Sequence, residues 1–125
     1  MKNLVAALVL AGAALFGLTA CSAPAAPAAQ SAISADAVVI DVRTPGEYTA
    51  GHLEGALNID VQASDFDSQV SVLPTDGDYV VYCRSGNRSA AAAARLADLG
   101  FTSVTDAGAL SSAAVTTGLP VVTTP

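Results

Sequence analysis

With 125 residues, five Lys and Arg against eleven Asp and Glu and a formal net charge of −6, the chain is long enough for one domain at most. Hydrophobic residues make up 52% and charged residues 13%, which excludes a disordered acidic chain, poor in apolar and rich in charged side chains. The acidic balance argues against nucleic acid as a partner, because neutralising phosphates requires clustered Lys and Arg.

Residues 1–18 carry one cation, Lys2, then Leu4, Val5, Leu8, Val9, Leu10, Leu15, Phe16 and Leu18 among Ala and Gly, with no acid. A positive start and an apolar stretch shorter than a confident membrane span read as a signal peptide over residues 1–20. Leu18-Thr19-Ala20-Cys21 resembles the lipobox of bacterial lipoproteins. That resemblance implies that Cys21 is linked to diacylglycerol and becomes the first residue of an exported protein lipid-anchored to the cell membrane, facing the periplasm or exterior. Cleavage near Ala20 into a soluble secreted protein is the alternative. Loss of Lys2 leaves no Lys and a net charge of −7. Residues 22–31, rich in Ala, Pro and Ser, have no large side chain to build a core and span about 30 Å if extended, so residues 21–35 read as lipidated Cys plus tether.

The remaining residues, 36–125, alternate strand and helix signals of the α/β kind. Residues 37–42 form a β-branched run. Thr44-Pro45-Gly46-Glu47 has the form of a capping box, with Pro45 at the first helical position. A brief strand is expected over residues 56–59, and Ser64-Asp65 precedes a helical stretch bearing Phe66, Val70 and Leu73, stopped by Pro74. Tyr79-Val80-Val81-Tyr82 is the strongest strand and runs into Cys83. Residues 89–99 predict a helix with Ser89 near its N-cap and Gly100 just past its end. A strand over 101–105, a weak helix over 110–117 and a last extended piece over 119–122 complete the chain.

If Cys21 takes lipid, Cys83 has no intramolecular disulfide partner, and an unpaired Cys in an exported protein is either buried and inert or kept for its reactivity. Its neighbours favour reactivity. Ligands of a parallel sheet bind beyond the carboxyl ends of the strands, where a strand-to-helix loop presents N–H groups at a positive helix terminus. The loop Arg84-Ser85-Gly86-Asn87-Arg88 adds two guanidinium groups and a Gly that permits a tight curl. Such surroundings favour thiolate over thiol and prepare Cys83 to attack an electrophilic sulfur.

Asp41-Val42-Arg43-Thr44-Pro45-Gly46-Glu47-Tyr48, Gly51-His52-Leu53-Glu54-Gly55-Ala56-Leu57-Asn58-Ile59 and Val81-Tyr82-Cys83-Arg84-Ser85-Gly86-Asn87-Arg88-Ser89 resemble the single-domain rhodanese family, in order and spacing, from about Asp36 to Val122. The resemblance implies an α/β three-layer fold with a central parallel five-stranded sheet flanked by helices. It implies an enzyme without a cofactor whose Cys83 persulfide takes sulfane sulfur from thiosulfate or a related donor and passes it to a thiol or cyanide. By motif, Cys83 is the nucleophile, Arg88 the main anion contact and the amides of Arg84, Ser85, Gly86, Asn87 and Arg88 the cradle, with the Arg84 side chain a candidate substrate contact. Tyrosine-phosphatase-like loops place their Arg six positions after the Cys; here Arg88 is five after Cys83, a smaller ring better matched to a persulfide than to phosphate.

Asp41 and Arg43 read as structural residues near the site, Glu47 as a capping residue, and His52 as a packing and hydrogen-bonding residue at a turn. Two Cys and one His offer no metal-ligand spacing. Asp65, Asp67, Asp76 and Asp78 read as a solvated face. Relative to the family pattern, Asp106-Ala107-Gly108-Ala109-Leu110 holds one Gly where a pair is common, and the chain has no Trp, which bears on the final helix and the mouth of the site. Two function classes follow: a membrane-tethered sulfurtransferase outside the cytoplasm, or a non-enzymatic module whose cradle binds or senses a sulfur species, an oxidant or a partner protein.

Overall fold

The computed structural model describes residues 33–123; the leader, Cys21 and the tether through residue 32 lie outside them. Ten elements follow in order: β1 (Val38–Asp41), α1 (Pro45–Ala50), β2 (His52–Leu53), β3 (Leu57–Asn58), α2 (Phe66–Val70), β4 (Asp78–Cys83), α3 (Asn87–Asp98), β5 (Ser103–Ala109), α4 (Leu110–Thr117) and β6 (Val121–Val122). The central sheet has the order β3-β1-β4-β5, with every neighbouring pair parallel.

This sheet has four strands among the described residues, where five were expected. The last extended piece does not join it. β6, two residues behind Pro120, pairs antiparallel with β2, and the Glu54 N–H closes the junction on the Pro120 carbonyl at 2.9 Å. Pro120 has no N–H to give a ladder, and the two residues that follow it pair with the equally short β2 instead of the central sheet.

The strands are apolar on both faces because helices cover both. The two-residue side-chain period sends Ile40, Tyr79, Val81 and Cys83 into one core with Phe66, Val70, Ala92, Leu96 and Phe101, and Val39, Val80 and Tyr82 into the other with Leu53, Ala56 and Ala113. Cys83 is thereby turned toward the layer that contains α3.

At the start of α1 the capping box is complete. The Thr44 hydroxyl accepts the Glu47 N–H, and Glu47 Oε2 accepts the Thr44 N–H at 3.1 Å. α3 ends in a Schellman motif: Gly100, at φ 95°, donates to the Ala97 carbonyl, and Phe101 donates to the Leu96 carbonyl. Several boundaries differ from the sequence expectation. α2 stops at Val70 rather than Leu73, and β5 runs on through Gly108 to Ala109. α3 begins at Asn87, so Gly86 is the N-cap and Ser89 lies inside the helix. Asp67 is not merely solvated: its Oδ1 lies 2.6 Å from Arg95 Nε in an ion pair, and the Arg95 guanidinium lies 5.2 Å over the Phe66 ring.

Candidate active site

β4 delivers Cys83 to the carboxyl end of the sheet, and the chain turns at once into α3. Gly86 makes the turn at φ 99°, a left-handed conformation that suits glycine. A Cβ there would meet only the Gly108 Cα at 3.7 Å, so backbone conformation rather than space restricts this position. The turn aims the Gly86 N–H at Cys83 Sγ, 2.9 Å away. Ser89, fully buried, places its hydroxyl 3.5 Å from Sγ and donates to the Gly86 carbonyl at 3.0 Å.

Burial of Cys83 pushes its thiol pKa up, but the Ser89 hydroxyl and the N–H groups of Ser89, Gly86 and Ser85 together outweigh it, and the net shift is downward. A thiol at full burial thus ionises more readily than a free one. Ser89, expected at the helix cap, is the functional residue that the sequence reading placed wrongly. Its position after Arg88, on the helix face three residues past Gly86, was the available signal. Ser89→Ala is expected to move the pH profile of Cys83 alkylation to higher pH; an unmoved profile would show that the hydroxyl does not support the thiolate.

The loop arginines divide. Arg88, expected as the main anion contact, gives Nη1 to Glu47 Oε2 and Nη2 to Glu47 Oε1, both at 2.8 Å. Its guanidinium is committed to α1, because Glu47 is already fixed there by its capping box. Arg84 is exposed and lines an open cleft of about 400 Å³ with Arg43, Glu47, Ala50, Leu110 and Ser111. Ser85 and Asn87 are also exposed. The Glu47–Arg88 pair spans 41 residues of sequence, and no local pattern announces it.

The ion pair holds the Glu47 carboxyl down to about 2; burial opposes this, and the Thr44 N–H and hydroxyl reinforce it. A depressed folded pKa stabilises above the ordinary value of 4.5, and the contribution is lost as pH falls toward 2. With both side chains about a quarter exposed, screening leaves on the order of 1–2 kcal/mol. Denaturation of the native protein and Glu47→Gln should therefore converge in stability over that acidic interval; a constant gap would contradict the pair.

Asp41 and Arg43 brace the floor of the cleft. Arg43 Nη2 meets Asp41 Oδ2 at 2.6 Å and also donates to the Gly51 carbonyl, while the Arg43 N–H donates to Asp41 Oδ1 at 2.9 Å. The guanidinium lies 5.7 Å from the Tyr82 ring centroid, and both charged residues are buried. His52 is buried too. Its ring stacks on Tyr48 at 3.7 Å, and Nδ1 lies 2.8 Å from the Tyr48 carbonyl, which can only accept, so Nδ1 carries the proton. Among the described residues no group of three or more His, Cys, Asp or Glu could hold a metal ion.

A cysteine ringed by inward N–H groups where a parallel strand meets a helix defines an anion-cradled thiolate site on an α/β scaffold. The rhodanese-like domain model matches residues 25–107, and the chain belongs to that family. Among similar proteins, the thiosulfate sulfurtransferase GlpE of Pseudomonas fluorescens is 39% identical over 77 residues, covering 61% of this chain and 68% of that protein. Thiosulfate sulfurtransferase PspE of Escherichia coli is 36% identical over 77 residues, covering 61% and 73%. A sulfurtransferase of Allochromatium vinosum is 38% identical over 66 residues; the match spans 53% of this chain but only 60% of that protein. In structure, an E. coli rhodanese solved with anions superposes with a TM-score of 0.60 at 32% identity, covering 70% of this chain and 98% of that one. The rhodanese-like domain of the Anabaena Alr3790 protein gives 0.61 at 25% identity, covering 69% and 98%. The chain is thus a rhodanese-like α/β protein with thiosulfate sulfurtransferase homologues.

Proposed function

We propose that the protein is a membrane-tethered sulfurtransferase acting outside the cytoplasm, which moves sulfane sulfur from thiosulfate or a related donor to a thiol or cyanide through a Cys83 persulfide. The observation that carries the chemistry is the buried Sγ, 2.9 Å from the Gly86 N–H and beside the Ser89 hydroxyl. The Gly86 N–H favours a thiolate and can hold the negative sulfur that replaces it, and the Ser89 hydroxyl joins it by turning its one proton from the Gly86 carbonyl to Sγ. The Cys83 thiolate attacks the outer sulfur of thiosulfate; the Sγ–S bond forms as the S–S bond of the donor breaks, and sulfite leaves with the electron pair. Cyanide then attacks the outer sulfur of the persulfide, giving thiocyanate and restoring the thiolate. No oxidant or reductant is consumed.

The tether half of the reading rests on Leu18-Thr19-Ala20-Cys21 and the Ala/Pro segment behind it. Its division is residues 1–20 as leader, 21–35 as lipidated Cys and tether, and 36–125 as the rhodanese-like domain. Membrane fractionation with mass analysis of the N-terminal peptide tests it. A diacylglyceryl mass on Cys21, with loss of membrane association in Cys21→Ser, is expected; a soluble protein beginning after Ala20 and free of lipid would overturn it. The catalytic half is tested separately, by thiocyanate formation from thiosulfate and cyanide.

A further inference from the structure

We propose that Glu47 is a specificity-determining residue: by clamping the Arg88 guanidinium it leaves the Cys83 loop one free cation, Arg84, and tunes the site to singly charged sulfane donors with an organic leaving group over divalent oxyanions. This rests on the reading of the Cys83 loop as a sulfur-transfer site.

The charge pattern carries the argument. The described residues contain four cations, all Arg. Arg43 is paired with Asp41, Arg88 with Glu47 and Arg95 with Asp67; Arg84 has no ion pair. Glu47 is held from four sides, by the two Arg88 nitrogens, the Thr44 N–H at 3.1 Å and the Thr44 hydroxyl at 3.0 Å. Arg88 can therefore turn to an anion only by leaving a carboxylate anchored in a helix cap. With those pairs neutral, the Cys83 thiolate, Arg84 and, farther off, the Asp60 carboxylate remain. An incoming dianion meets one free guanidinium and one fixed negative sulfur, whereas a monoanion needs only what Arg84 and the loop amides supply.

The cleft beside the loop supplies the second observation. Its volume of about 400 Å³, with Ala50 and Leu110 among its lining residues, leaves room for a carbon group that inorganic thiosulfate lacks. For methanethiosulfonate, the Cys83 thiolate attacks the terminal sulfur and the Sγ–S bond forms. The bond between terminal and sulfonyl sulfur breaks, and methanesulfinate leaves with the electron pair. The two negative charges of the reactants are kept in the products, one leaving on methanesulfinate and one staying on the persulfide.

The test uses the full-length protein purified in detergent, with sulfate binding measured by calorimetry and donor kcat/KM by thiocyanate formation. The native protein should favour methanethiosulfonate over thiosulfate. Glu47→Gln should bind sulfate about tenfold tighter and raise the thiosulfate-to-methanethiosulfonate ratio of kcat/KM by a similar factor. Adding Arg88→Gln to Glu47→Gln should erase both gains, since the effect passes through Arg88. Asp60→Asn removes a carboxylate that Arg88 feels only through space, and should move sulfate binding by less than about threefold. Thr44→Ala weakens the helix cap but keeps the charge, so it should lower the melting temperature without tightening sulfate. Sulfate affinity in Glu47→Gln within about twofold of the native value, or a gain that survives Arg88→Gln, would overturn the proposal. Sulfate binding needs no turnover, so a native protein that loads no sulfur sinks the sulfurtransferase reading while the sulfate comparison still decides the role of Glu47.

Discussion

Replacing Cys83 with serine is expected to lower thiosulfate-dependent thiocyanate formation by roughly three orders of magnitude or more, while the protein stays folded. The size of the effect follows from where the sulfur sits. Sγ is fully buried, accepts the Gly86 N–H and neighbours the Ser89 hydroxyl, so the loop is organised around one atom. A serine oxygen fits the same space and can accept the same N–H, but it does not ionise near neutral pH and cannot carry a persulfide. Fold and chemistry should separate: the melting temperature should change little while turnover disappears. Retained turnover in Cys83→Ser would remove Cys83 from the mechanism.

The largest stability effect is expected at Asp41. Asp41→Ala leaves the Arg43 guanidinium buried without its carboxylate, and breaking a buried pair from one side costs about 3–5 kcal/mol. The Arg95–Asp67 pair, with both side chains more than two-fifths exposed, provides the comparison: Asp67→Ala should cost no more than about 1 kcal/mol. Urea denaturation of the two variants measures the difference. Asp41→Ala together with Arg43→Ala should cost less than the two single changes added, because the pair is lost only once. Equal costs for Asp41→Ala and Asp67→Ala would show that burial does not set the value of these pairs.

Local chemistry made much of this architecture legible. The β4 run, the Thr44 to Glu47 capping box and the Gly100 helix stop each depend on neighbours in the chain, and each appears where expected. The position of Cys83 at a strand end was readable for the same reason. Most of what escaped depends on long-range placement, and Ser89 on a local competition for the helix cap. Arg88 looked free in the sequence because Glu47, its partner, is 41 residues away and already seemed explained by its cap. Ser89 looked like an N-cap because hydroxyl residues favour that position, but Gly86 takes the cap in a left-handed conformation and Ser89 turns to the sulfur. Residues 121 and 122 are extended as expected, but nothing local distinguishes a fifth sheet strand from a partner for His52 and Leu53.

Whether Cys83 accepts sulfane sulfur can be read from the intact mass of the full-length protein. The protein is weighed reduced, then after thiosulfate, then after cyanide, with Cys83→Ser alongside. A gain of one sulfur atom that requires Cys83 and disappears with cyanide as thiocyanate is released is expected. No gain on a protein whose Cys83 is reduced and open to alkylation would contradict the persulfide mechanism.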